Sequence, residues 1–143
     1  MSKSEMYVAA LEENGLFETP GHRTRFKELM DCYGDYPFFS KGLCKCMYLS
    51  AWDEEHFAII LQILSDLAIG RERNTQEMRI QGDALARDAS EQTGRDGDYY
   101  VYQLSNAFLD NQEFIMPKDV KLSLEYEYIM KRALEAERVI DKV

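Results

Sequence analysis

Through most of this chain apolar residues recur at steps of three and four, a pattern that predicts a succession of helices. The densest stretch runs from Ser50 to Gly70. Between Phe57 and Ile69 ten of thirteen residues are apolar, and only Gln62, Ser65 and Asp66 are polar. The run is too long for an ordinary strand and well short of the roughly 18 apolar residues of a membrane span. Its three polar residues share one narrow strip of a helix, so apolar side chains cover the rest of the circumference. The pattern predicts a central, buried helix over 51–69. Ser50 caps it, Asp53, Glu54 and Glu55 sit at its positive end, and Gly70 stops it.

The segments before it carry clear punctuation. Ser2 and Glu5 have the spacing of a capping box, opening a helix through Met6, Ala9, Ala10 and Leu11 that Asn14-Gly15 ends. Thr19-Pro20 places a cap before a proline at a first helical position. Phe26, Leu29, Met30 and Tyr33 then form one stripe, closed by Gly34. Asp35-Tyr36-Pro37 reads as a turn, with Pro37 opening a helix through Phe38, Phe39, Leu43, Met47 and Tyr48.

After Gly70, Asn74 and Glu77 repeat the capping-box spacing. They open an outer helix through Met78, Ile80, Ala84, Leu85, Ala86 and Ala89, weakened by Gly82. Residues 90–98, SEQTGRDGD, read as a loop. The last third supports two periods. Leu122, Tyr126, Ile129, Ala133, Ala136 and Ile140 make a helical stripe, with Pro117 placed where a helix can begin. The strand-like composition of YYVY and the alternation from Val120 to Tyr128 offer instead a short β-hairpin near 99–103 and 120–126. The helical period covers more residues. The fold class expected is all-α, an orthogonal bundle of about six to seven helices in one domain, 1–143. The alternative is a C-terminal subdomain over 99–143.

Composition adds bounds. At 143 residues, 45% hydrophobic and 30% charged, the chain can enclose a core without disulfides or metal. The opening MSKSEMYVAALEEN lacks the apolar run of a signal peptide, and three cysteines at Cys32, Cys44 and Cys46 suit a reducing compartment. A cytoplasmic protein without a membrane segment is expected. The net charge is −9, and residues 51–98 carry most of it, with 5 basic against 11 acidic side chains. That balance disfavours direct nucleic-acid binding, which needs clustered Lys or Arg. Arg23, Arg25 and Lys27 form a dense basic group, but side chains two apart on a helix diverge, so they read as a solvated flank.

Several chemistries fail on spacing. Cys44-Lys45-Cys46 with Cys32, His22 and His56 holds enough ligand types for zinc, yet residues two apart on a helix point about 200° apart. Buried cysteine acting as a small hydrophobe is the simpler reading. Asp53-x-x-His56 has no second copy, as a di-iron bundle requires. Counted from Asp96, a calcium loop would need Gly at Val101 and Glu at Ala107. No catalytic residue, metal ligand or cofactor is therefore assigned.

What remains is aromatic. Tyr99, Tyr100, Tyr102, Tyr126 and Tyr128 lie beside Asp96, Asp98, Glu125 and Glu127. Together these nine residues read as an acid-rimmed surface for a protein partner with basic surface, since aromatics dominate hot spots and charge selects the partner. The function expected is binding without catalysis. Its concrete form is an inhibitor that occupies the nucleic-acid channel of a target, as anti-defence proteins of mobile elements, inhibitors of RNA-guided nucleases among them, do. Two other classes are weighed against it. One is a metal-dependent nucleotide hydrolase using Glu28, Asp31, Glu54 and Glu55. The other is a subunit that forms a homodimer through the C-terminal stripe.

Overall fold

The computed structural model describes residues 2–69, 96–116, 118 and 122–143. Every described element is a helix: α1 (Lys3–Glu13), α2 (Pro20–Tyr33), α3 (Lys41–Ser50), α4 (Glu54–Ala68), α5 (Asp96–Asp110) and α6 (Leu124–Lys142). The all-α class stands. Residues 99–103 lie inside α5 and 124–126 inside α6, so the hairpin is not taken up there. Asp96 to Asp98 belong to α5 and not to the loop expected over 90–98, whose other residues lie outside the described ones. An acidic first turn is favoured by the helix dipole. The outer helix read from Asn74 to Ala89, the Gly70 stop and the Pro117 start fall outside the described residues.

Local chemistry sets most of the starts. The Ser2 hydroxyl accepts the Glu5 N–H at 3.1 Å, and Thr19 Oγ1 accepts the His22 N–H at 3.0 Å. Ser123 Oγ does the same for Tyr126 at 3.3 Å, opening α6. Gly15 turns the chain out of α1 at φ +65, a left-handed conformation that glycine adopts without steric cost. Two starts differ from the expectation. Ser40, not Pro37, caps α3, accepting the Leu43 N–H at 3.0 Å. Ser50 is the last residue of α3 and does not cap α4. Asp53 does, accepting the His56 N–H at 2.8 Å, because a two-residue turn at Ala51-Trp52 separates the two helices.

Among the described elements α3 is the most enclosed, one helix earlier than the hydropathy maximum. All eight residues from Leu43 to Ser50 are buried, more than two full turns, so every side of the helix is covered. It packs against α2, α4, α5 and α6. By contrast α4 keeps Phe57, Ile59 and Leu61 only half-buried. Cys44 and Cys46 point to opposite sides of α3 and both are sealed. Burial pushes both thiols well above the usual range, and Cys46 Sγ donates to the Ser105 carbonyl at 3.2 Å. They behave as small core residues.

Enclosure of α3 strands a charge. Lys45 is 4% exposed, and its ammonium reaches Asp141 at 2.8 Å and Glu137 at 3.4 Å on α6. A buried cation needs such partners, since leaving it alone costs several kcal/mol. One turn earlier, Lys41 donates to the carbonyls of Asp141 and Val143, both at 3.0 Å, and so closes the end of α6. Arg25 has a similar role. It leaves the solvated flank expected of it and donates to the Ala51 and Trp52 carbonyls at 2.7 and 3.0 Å, holding the α3–α4 turn. Arg23 and Lys27 form exposed pairs with Glu12 and Asp31.

The crossing of α3 over α5 is close enough to exclude a methyl group. A Cβ on Gly42 would press into the Phe108 carbonyl oxygen and lie 3.2 Å from its carbon, backbone that cannot swing aside. Gly42→Ala gains about 1 kcal/mol of helix propensity. It should nevertheless destabilise the protein by about 1–3 kcal/mol through overpacking. Urea unfolding of the two forms checks this, and a more stable variant would show the crossing to be looser than described.

Candidate functional site

Start with the tyrosines, because their helices now have faces. Tyr102 and Tyr126 are each only 8% exposed, so neither belongs to the surface expected of them. Two residues apart on a helix means about 200°, and with Tyr126 turned inward Tyr128 must point out. Tyr102 and Tyr126 close around His56 instead, with ring centroids 6.0 and 6.4 Å away. Trp52 completes the cluster, 5.1 Å from the imidazole and edge-on to Tyr126 at 5.6 Å. His56 Nδ1 lies 2.7 Å from Asp53 Oδ1, and a carboxylate can only accept, so Nδ1 carries the proton. This cluster joins the first turns of α4 and α6 to the middle of α5.

The outer half of the expected patch is real surface. Tyr128 is 54% exposed, Tyr99 is 39% exposed and stacks edge-to-face on half-buried Tyr100, and Glu125 is exposed. Glu127 is half-buried and takes Lys131 at 2.9 Å. Asp96 and Asp98 lie in the first turn of α5, and their side chains are not among those described. The sequence reading missed Leu124. It is 85% exposed and precedes Tyr128 by one turn on the outward side of α6. The signal was present: Leu124 and Tyr128 fall outside the stripe of 122, 126, 129, 133, 136 and 140. Leu124, Glu125, Glu127, Tyr128 and Lys131 line an open groove of about 490 Å³.

Behind Tyr128 stands Arg132. Its Cζ lies 5.9 Å from the Tyr128 ring centroid, a cation–π distance. Its guanidinium donates to Glu18 at 2.9 Å, to Glu135 at 3.2 Å and to the Gly15 carbonyl. Those bonds hold the loop between α1 and α2. A second open cleft of about 410 Å³ sits there, lined by residues that include Glu12, Gly15, Phe17, Glu18 and Pro20. His22 anchors the same loop from inside. Its Nδ1 accepts the Glu18 N–H at 3.1 Å, so Nε2 bears the proton and donates to the Tyr48 carbonyl at 2.8 Å. The Tyr48 hydroxyl donates in turn to the Leu16 carbonyl.

The other expected chemistries find no assembled site. Glu28 and Asp31 are on α2, Glu54 and Glu55 on α4, and all four are exposed. Among the described residues no three His, Cys, Asp or Glu side chains are placed to hold a metal ion. The stripe proposed for self-association is used inside the chain: Tyr126, Ile129, Ala133, Ala136 and Ile140 are buried, and α6 packs on α1, α3 and α5. No helix among the described residues is long and apolar enough to cross a membrane. No protein family, no curated protein and no solved structure matches this chain.

The His22 anchor makes stability depend on pH. Burial of the imidazole is the main cause that lowers its pKa from 6.5 to about 4. Between those values the unfolded chain binds the proton and the native one does not, so stability rises with pH. His22 therefore costs nothing above about pH 6.5, and stability falls as pH drops towards 4, by up to about 1.4 kcal/mol per unit. Denaturant unfolding at pH 7, 6, 5 and 4.5 should show a steeper loss in the wild type than in His22→Gln. Parallel curves would remove His22 as the cause.

Proposed function

We propose that this protein acts by binding another protein, with the first two turns of α6 as the contact face and a basic surface on the partner. The observation that carries the reading is the pair Leu124 and Tyr128, two large apolar side chains exposed one turn apart. Covering one such side chain fully is worth about 1.5–3 kcal/mol. Glu125 between them has no ion pair among the described residues, and the chain as a whole carries −9. A partner offering Lys or Arg around an apolar pocket complements both features. The particular partner we propose is a nucleic-acid-handling protein, whose phosphate-binding channel the carboxylates occupy in place of phosphates. The charge balance supports that choice.

Affinity capture from nuclease-treated lysate tests the reading, run at low and high salt with wild type, Leu124→Asp/Tyr128→Ala and Glu125→Lys/Glu127→Lys. The expected result is one basic protein retained by wild type at low salt and reduced at least tenfold with either variant. Thermal unfolding of each variant separates loss of binding from loss of fold, since Glu127 pairs with Lys131 and Tyr128 packs on Arg132. Added single-stranded nucleic acid should displace the captured protein. Equal capture by all three forms, or capture by none, would overturn the proposal.

A further inference from the structure

The α6 groove and the cleft over the α1–α2 loop meet at one residue. Arg132 lies against Tyr128, which lines the first, and bonds Gly15 and Glu18, which line the second. From Leu124 to Arg132 the helix advances roughly 12 Å. Arg132 touches the lining of both openings, so the two are neighbours and together define a track across it. Each has a volume within the range of specific binding pockets, and both are open to solvent.

The charges along this track have one sign left over. Lys131 is engaged by Glu127, Arg23 by Glu12, and Arg132 by Glu18 and Glu135. Each cation on the track thus already faces a carboxylate, and Glu125 stands without an ion pair among the described residues. An acidic or phosphorylated ligand would meet only occupied cations and unneutralised carboxylate. A cationic ligand meets five carboxylates, at Glu12, Glu18, Glu125, Glu127 and Glu135, against the three cations Arg23, Lys131 and Arg132. Apolar surface is present at both ends, Leu124 with Tyr128 at one and half-buried Phe17 with exposed Pro20 at the other.

We infer that the two clefts are halves of a single track, and that its occupant is a linear, basic, amphipathic segment of the partner protein. One apolar side chain of the segment seats on Leu124 and Tyr128, a second beside Phe17, and Lys or Arg residues between them face Glu125, Glu18 and Glu12. An extended segment of about six residues has the reach, at roughly 3.3 Å per residue. This rests on the protein-binding reading above and adds to it the shape of the ligand and the second half of its site.

The probe is a phage-displayed library of random 12-residue peptides, selected on the full-length chain. One enriched peptide is then synthesised with a fluorescent label and titrated by anisotropy. Enriched peptides should combine Lys or Arg with at least two large apolar residues. Leu124→Asp should weaken the labelled peptide at least tenfold, and Glu12→Lys, in the other cleft, about three- to tenfold. Unchanged melting temperatures show that both exposed substitutions leave the fold intact. Sensitivity to Leu124→Asp alone would overturn the single track while leaving the α6 contact face standing. Sensitivity to Glu12→Lys alone would overturn both. So would enrichment of acidic peptides, or of none.

Discussion

Helix α3 is covered on every side, and that enclosure dictates where α2, α4, α5 and α6 lie against it. Ten residues of modest hydropathy, KGLCKCMYLS, hold this position because Leu43, Met47, Tyr48 and Leu49 fill the core around it and Lys45 is long enough to reach a counter-charge. Gly42 lets the α5 backbone approach. Cys44 and Cys46 fill opposite sides without needing hydrogen-bond partners on the scale a hydroxyl would. The lysines at 41 and 45 tie down the end of α6, so the last helix is fixed along α3 by charge at one end and by its apolar stripe along its length.

With α6 held in that way, its other face has no choice but to look outward. The stripe of Tyr126, Ile129, Ala133, Ala136 and Ile140 is committed to the core, and Leu124 and Tyr128 occupy the opposite side. Arg132 lies at the boundary between the two faces. It packs under Tyr128 and reaches the α1–α2 loop, which His22 and Tyr48 hold from within. The exposed tyrosine is therefore backed by a braced cation, and a braced side chain loses little freedom on binding. The same bracing explains how residues more than a hundred positions apart in the chain share one surface.

Some of the candidate surface was legible in the sequence. The acid-and-tyrosine composition around 96–102 and 125–128 coincides with the first half of α5 and the first turns of α6, where Tyr99, Glu125 and Tyr128 are exposed. What composition could not sort was direction. Tyr102 and Tyr126 look the same as Tyr99 and Tyr128 until helix phase is tied to a neighbour, and here the neighbours are Trp52 in the α3–α4 turn and His56 on α4. Asp53-x-x-His56 was noticed as a failed metal motif. Its place as a cap that also orients a buried imidazole needed the ring cluster around it.

Local sequence sets the described helices and many of their ends. Ser2, Thr19 and Ser123 cap, Gly15 turns, and the three-four periodicity selects helix over strand, because each depends only on residues within a turn or two. Only the tertiary structure decided which helix is central. Hydropathy pointed to 51–69, whereas enclosure fell on 41–50, since burial is a property of what surrounds a helix and its partners come from α2, α4, α5 and α6. It also decided that Arg25 and Lys45 serve the interior and that Leu124 faces solvent. Those outcomes rest on contacts between distant parts of the chain, which no local pattern encodes.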